Sequence, residues 1–407
     1  MIKKMTFKQF LFILPLLIFI GVFSIYPIVT SFMYTFFDYR INDQTANSFY
    51  ISERFNGKLF YEDCDYVNYF LEDDKTLMSE DDQTTVTEIQ ERVSSVMAEY
   101  EGVEGTQKIS SEQKEAILFF EENLKADIDA LYEKYPDVEF YNKEKIPEIL
   151  EEMDTCIVES NFTGLKAYGR LLKDTRFWKA LGHTLIFTVL SVSIELVLGM
   201  LLALIMNKAM KGIGLIRTVA LIPWAIPTAV SAMIWSYLYD GSYGIVSLLF
   251  SKLGIVSSQS AMLLTSSGAM TAAIIADVWK TTPYMALLLL AGLQVIDRGL
   301  YESSSIDGAG PVTTFFRITL PLVKPSLLVA LLFRTLDAFR VYDLIAILTG
   351  GGPGNGTESL SIYAYKLMFD QSNYGYSSVV VMGMFVVVAI IAFLYVKVLG
   401  ADVMGND

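Results

Sequence analysis

Cysteine and histidine are nearly missing from this chain, with two of the first and one of the second in 407 residues. That supply cannot build a Cys/His metal cluster, and no nucleophile–base constellation can be assembled from it. The lone His183 is expected to be a satisfied packing residue. Basic residues are also in deficit, 31 Lys and Arg against 45 Asp and Glu for a net charge of -14, so nucleic acid is not an expected partner. A nucleotide loop is lacking too: the glycine-rich GGGPGNGTES at 350–359 has no lysine before its threonine. No catalytic site is expected in this chain.

What is present is apolar. Hydrophobic residues make up 53% of the sequence and the mean hydropathy is +0.42, which an evenly acidic soluble protein would not show. The acid is therefore concentrated. Residues 41–165 carry about 31 Asp and Glu against about 10 Lys and Arg, leaving roughly +7 for the remainder. Outside that block, runs long enough to cross a hydrocarbon core recur six times, near 8–37, 178–207, 213–239, 269–296, 325–349 and 377–399. The first follows Lys3, Lys4 and Lys8, but it is too long for a signal peptide's apolar region and no small-residue cleavage site follows it, so it reads as a retained anchor.

Orientation comes from the short loops. Lys3, Lys4 and Lys8, then Lys208, Lys211 and Arg217, then Arg298, Arg317 and Lys324, and finally Lys397 all fall on one side, which predicts cytoplasmic N- and C-termini in a multi-pass cell-membrane protein. The expected fold is an all-α polytopic membrane protein. Six transmembrane helices carry a large, mainly helical extracytoplasmic insertion between the first and second. The domains are 1–40 (first span), 41–165 (acidic insertion) and 166–407 (membrane core, with a cytoplasmic loop at 298–325).

Within the insertion, Val86, Ile89, Val93 and Val96 recur at helical spacing. A second helix is predicted from Ser110, with Gln113 placed for a capping box, to the stop at Pro136. A third lies around IPEILEEMDTCIV, and short strands are expected near SFYISERF and KLFYED. Both cysteines, Cys64 and Cys156, fall here, and spacing leaves a disulfide and two free thiols equally open. The block reads either as a docking surface for a soluble component or as a solvated acidic insert.

Polar groups inside apolar spans are costly and usually face a cavity or a partner. The fourth run holds Asp277, Lys280, Thr281 and Tyr284 toward one helix face. They form either a binding face, with Tyr284 supplying a flat ring and a hydroxyl, or a self-neutralising pair. In the fifth, Arg334, Asp337, Arg340 and Asp343 alternate in sign every three residues, as a binding face or as a zipper between helices. Glu195 in the second run is expected to hydrogen-bond between helices.

One polar stretch stands apart: YESSSIDGAGPVTTFFRITLPLVKP, residues 301–325, wedged between two apolar runs. A short helix, a glycine-permitted turn at Gly308 and a second short helix across the membrane surface are predicted, with Pro325 opening the next span. Such a knob suits a groove on another protein. The pattern resembles the EAA loop of the membrane subunits of binding-protein-dependent ABC importers. Glu302 stands at the glutamate, Ser303 and Ser304 replace the two alanines, and Gly308, Ile318, Leu320 and Pro321 complete the motif. DGAGP and LTGGGP resemble the carbohydrate branch, above all the maltose-transporter subunit with a large outer insertion.

This resemblance implies that Glu302, Ser303, Ser304, Gly308, Ile318 and Pro321 couple the chain to an ATPase. It also implies that Asp277, Lys280, Thr281 and Tyr284 face substrate, with Asp337, Arg340 and Asp343 as further candidates. The partners implied are a second, homologous permease, two ATPase subunits, an extracytoplasmic solute-binding protein and membrane lipid. No cofactor is expected in this chain, since ATP and Mg would be bound by the ATPases. The function implied is ATP-driven import of a sugar or oligosaccharide. Alternatives are an importer of another polar solute such as a glycerophosphate, a membrane-anchored receptor sensing through the acidic domain, and a secondary transporter.

Overall fold

The computed structural model describes residues 7–43, 46–208 and 212–404. Lys3, Lys4 and Lys211, which carry part of the expected orientation, lie outside the described residues. The chain divides into two compact units. One comprises the apolar helices and the other comprises Met33–Gly164 with Asn373–Gly375.

Among the described residues, five helices are long and apolar enough to cross a membrane: Leu11–Tyr34, Thr175–Met206, Ser266–Leu293, Pro311–Phe339 and Tyr374–Val398. A sixth span exists if the pair Ile213–Ala225 and Thr228–Leu238 is taken as one, bent by 88°. The pair covers the third apolar run, 213–239, and the cause of its break is local. Ile226 precedes Pro227 and adopts φ -71°, ψ 131°, because the proline ring disfavours helical backbone in the residue before it.

The fifth span is corrected. It starts at Pro311 rather than Pro325, ends at Phe339, and is followed by a separate short helix, Asp343–Leu348. Pro321 would ordinarily interrupt such a helix, since it cannot donate to the preceding turn. Here Phe315–Thr319 widens to π geometry and Leu320 N–H reaches the Phe315 carbonyl, so the helix runs on.

The fourth span is the most buried of the five unbroken ones, whereas the first buries none of its residues. Spans two and four pack along one another through small side chains, including Ala203, Ala269, Ala272, Ala273 and Ala276, all buried. Gly199 is required there: a Cβ would fall 2.7 Å from Met285 Cγ.

The second unit is a helical domain with a small sheet. Helices α1 (Gly57–Lys75), α2 (Glu80–Met97), α3 (Ser111–Glu133) and α4 (Lys145–Met153) bury Phe60, Val67, Leu71, Val86, Ile89, Val93, Leu124 and Ile146 in one core. The predicted capping box is present in both directions, Gln113 N–H to Ser110 Oγ at 3.2 Å and Ser110 N–H to Gln113 Oε1 at 3.1 Å. Strands β1 (Arg54–Asn56), β2 (Thr106–Lys108) and β3 (Ile157–Val158) pair antiparallel in the order β2-β1-β3. KLFYED, expected as strand, is the first turns of α1. Asn56 caps that helix on Leu59 N–H, and Phe60, Cys64 and Val67 then fall on its buried face.

Both cysteines are free thiols, fully buried. The Cys156 thiol donates to Asp63 Oδ2 at 3.5 Å. Burial pushes Asp63 up to about 7 despite that bond, and burial beside Asp154 and Asp63 pushes Glu121 up to about 7 as well. Neither oxygen of Glu121 has a hydrogen-bond partner among the described residues.

An unfolded chain loses these two protons near pH 4, but the fold keeps them until about pH 7, so folding binds protons across that window. The stability contributed by these two groups is therefore fully present below about pH 4, is lost between about pH 4 and 7, and is flat above, with a ceiling of about 1.4 kcal/mol per group per pH unit. Amide exchange of α1 and α3 in the full chain, corrected for intrinsic rates, should show less protection at pH 8 than at pH 5. Asp63→Asn combined with Glu121→Gln should flatten the difference, and a pH-independent wild type would refute the account.

Candidate functional site

Two polar features of the apolar unit stand out, one inside the spans and one at their end. Inside, Arg334 of the fifth span is 1% exposed, which for a guanidinium is tolerable only with full pairing. Its Nε donates to Glu195 Oε2 at 2.5 Å and its Nη2 to Glu195 Oε1 at 2.9 Å, so the second span is gripped through two bonds. Nη2 also meets Asp277 Oδ2 on the fourth span, and Nη1 reaches Asp337 Oδ2 at 3.2 Å. Thr281 Oγ1 lies 2.7 Å from Glu195 Oε1 and 2.6 Å from the Asp277 carbonyl oxygen. One guanidinium thus joins spans two, four and five.

A cavity of about 180 Å³ opens beside this clasp. Asp277, Lys280, Thr281, Asp337, Arg340 and Asp343 all line it, so six of the seven residues assigned to a substrate face do converge. Tyr284 does not line it. Its ring stacks on Trp224, which does, with centroids 5.5 Å apart and planes at 13°.

Two sequence expectations change here. Asp277 is neutralised by Arg334 rather than by Lys280, and Lys280 is buried with no carboxylate within ion-pair distance among the described residues. The fifth-span ladder is also split: Arg334 turns inward, the helix ends at Phe339, Arg340 is exposed and donates to the Leu336 carbonyl at 3.2 Å, and Asp343 starts the next helix. The four charges therefore never form one stripe.

Trp224, Thr228 and Tyr342 were missed as lining residues. The proline-flanked IPWAIPT carried the signal for the first two, since a broken helix inside a membrane is tolerated where it borders a cavity. Glu195 was read as an interhelical hydrogen-bonding group, and its position at the centre of the clasp agrees.

At the end of the spans lies the helix Arg298–Ile306, begun by Asp297, whose Oδ1 accepts Gly299 N–H at 2.8 Å. It closes with two crossed bonds, Ala309 N–H to Ser304 O at 3.0 Å and Gly308 N–H to Ser305 O at 3.2 Å, the Schellman pattern. That pattern needs a left-handed residue, and Gly308 has φ +76°. Two side-chain bonds tie the helix to the following one: Ser304 Oγ to Thr314 Oγ1 at 2.9 Å and Tyr301 Oη to Thr319 Oγ1 at 3.2 Å.

The result is a braced protrusion. Ser304 is buried, while Glu302 and Ser303 face outward. Ile306, Val312 and Phe316 are exposed around its tip, and Glu302 makes no ion pair among the described residues. Ile318 and Pro321, expected in a second surface helix separate from the span, belong instead to the continuous helix that becomes the fifth span, so the protrusion is rigidly joined to it.

Elsewhere, the loop that follows Asp343–Leu348 leads to Glu358, which is buried and held by Arg176 (2.8 and 2.7 Å) and Lys366 (3.1 Å). His183 Nδ1 sits 3.3 Å from the Glu358 carbonyl oxygen, a packing role as expected.

Spans clasped by a buried guanidinium beside a polar cavity, with a braced protrusion at one end, define a membrane transport subunit. The chain belongs to the family described as binding-protein-dependent transport system inner membrane component, whose profile matches residues 195–404. It is 47% identical over 244 residues to the trehalose/maltose transport system permease protein MalF of Thermococcus litoralis, covering 60% of this chain and 82% of that one. It is 41% identical over 249 residues to the trehalose transport system permease protein SugA of Mycobacterium tuberculosis, covering 61% and 78%. A solved bacterial ABC transporter involved in the import of the acidic polysaccharide alginate shares the fold, with TM-score 0.53 and 22% identity over 68% of this chain and 97% of that one. The protein is thus a multi-pass membrane permease subunit of an ABC importer.

Proposed function

We propose that this chain is one half of the translocation pathway of an ATP-driven sugar importer, taking a disaccharide or short oligosaccharide through the cavity beside Arg334. The observation that carries the reading is the braced protrusion. A rigid helix and turn, continuous with a span and offering Glu302 among apolar side chains, is what a lever needs in order to be moved by a groove on another protein. Glu302 would pair with a basic residue of the ATPase, and Ile306, Val312 and Phe316 would fill the groove around it.

The protrusion and both chain termini are then cytoplasmic, and the acidic unit is extracytoplasmic. This chain performs no catalysis: ATP and Mg are held by two ATPase subunits. A second, homologous permease completes the pathway, and a solute-binding protein delivers cargo from outside. In the cavity, the buried Lys280 ammonium and the Thr281 hydroxyl offer polar partners for sugar hydroxyls, and the Trp224–Tyr284 stack offers apolar ring faces.

Proteoliposomes holding the assembled transporter should accumulate labelled trehalose or maltose only with ATP on the ATPase side and binding protein on the other. Accumulation driven by an ion gradient without ATP would reject the reading. Lys280→Met should weaken uptake by about tenfold or more through loss of a charged hydrogen bond to the cargo, about 1.5–3 kcal/mol, with assembly preserved because Lys280 makes no ion pair among the described residues.

A further inference from the structure

A second cavity, of about 490 Å³, opens where the second and fourth spans end, next to the protrusion. Its lining holds three cations, Lys208, Arg217 and Arg298, three neutral polar side chains, Asn207, Gln294 and Tyr301, and no carboxylate. Of the two acids adjacent to the lining residues in sequence, Asp297 is turned to cap Gly299 and Glu302 is exposed without an ion pair among the described residues. Arg217 is fixed in place: its Nε and Nη2 donate to the Met206 carbonyl at 3.2 and 2.7 Å, which leaves its other N–H donors for something else. Lys208 and Arg298 have neither a hydrogen bond nor an ion pair to a side chain among the described residues.

Three like charges around one hollow repel each other and call for an anion. What surrounds the hollow decides which kind. Leu215 and Val219 share the short helix that carries Arg217, and Val295 and Leu300 neighbour Arg298 in sequence; all four are exposed, Val295 at 86%, as suits segments lying at the membrane boundary. Cationic pockets between span ends at an anionic leaflet bind lipid headgroups through their phosphates.

We propose that this cavity is a binding site for the phosphate of an anionic phospholipid headgroup, held by Arg217, Arg298 and Lys208 where the second and fourth spans end. Because Arg298 opens the protruding helix while Lys208 and Arg217 belong to the second and third apolar segments, a bound lipid would tie the protrusion to the membrane. Lipid composition would then bear on how firmly the lever is seated.

Native mass spectrometry of the purified full chain, titrated with phosphatidylglycerol and separately with phosphatidylcholine, tests this. The expected result is one tightly retained phosphatidylglycerol and a fall in its affinity of about 30-fold in Lys208→Gln/Arg298→Gln, roughly fivefold per charge removed. Arg217 is left intact so that its bonds to Met206 persist. Unchanged retention in that variant overturns the proposal. Independently of any variant, a photoreactive phosphatidylglycerol should label peptides from 207–217 and 293–301 in the wild type, and labelling only elsewhere overturns it. Displacement of the lipid by equal concentrations of inorganic phosphate would assign the site to a soluble anion. A photocrosslinker at Gln294 that captures an ATPase subunit rather than lipid in the assembled transporter would assign it to a protein. Either result rejects the lipid, and neither touches the importer reading.

Discussion

Arg334→Gln should destabilise the membrane unit by about 3–5 kcal/mol and remove uptake with it. The arginine neutralises Glu195 and Asp277 at once, both buried, and its loss strands two carboxylates in an apolar bundle. Breaking one member of a buried ionic cluster costs far more than the cluster contributes, because the remaining charges keep their desolvation penalty. Removing all three charges together has the opposite effect. Adding Glu195→Gln and Asp277→Asn to Arg334→Gln should recover most of the stability, since the amides can hydrogen-bond without charge. Thermal melts of the purified permease in one detergent would read both. An Arg334→Gln protein as stable as the wild type, or a triple variant no better than the single, would remove the clasp from the account. Uptake should stay low even in the triple variant if the charges also shape the cavity.

Glu302→Lys should lower ATP-dependent uptake by at least about 30-fold without loss of fold. Reversing one member of an interfacial charge pair costs about 2–5 kcal/mol, whereas within the chain Glu302 is exposed and unpaired among the described residues. Gly308→Val reaches a similar end by another route. Its φ of +76° is strained for a β-branched residue by about 1–2 kcal/mol, although nothing lies within 4 Å of a Cβ there. The cost is therefore conformational and falls on the turn that aims the helix. Co-purification of the ATPase with tagged permease, read beside uptake, separates failed docking from failed folding. Wild-type uptake in both variants would mean that the protrusion is not the lever.

Much of this was written in the pattern of residue types. Apolar runs of about 20 residues have few fates other than a membrane, and the concentration of acid between 41 and 165 marked off a second material. The capping box at Ser110 and the helical spacing of Val86, Ile89 and Val93 are local rules, and local rules survive folding. The turn at Gly308 was legible for the same reason, since only glycine takes that backbone angle without strain.

What sequence could not supply was which charge meets which. Lys280 stands three residues from Asp277 and Arg334 stands fifty-seven away, yet Asp277 pairs with Arg334. Along one helix, spacing ranks neighbours correctly, but span packing brings closer partners from other helices, and in a low-dielectric interior the closest opposite charge prevails. The break at Ile226 and the uninterrupted passage through Pro321 show the same division. A proline announces a disturbance in the chain, and the surrounding helices and the widened turn at Phe315–Thr319 decide whether it becomes an 88° bend or is absorbed. Composition and local pattern thus established a polytopic membrane protein with an acidic insertion and a glycine-turned protrusion, and the resemblance of residues 301–325 to a known loop motif supplied the permease reading. The ionic clasp, the cavity beside it and the cationic hollow near the protrusion arose only when distant segments were packed together, because each depends on contacts between residues that no local rule connects.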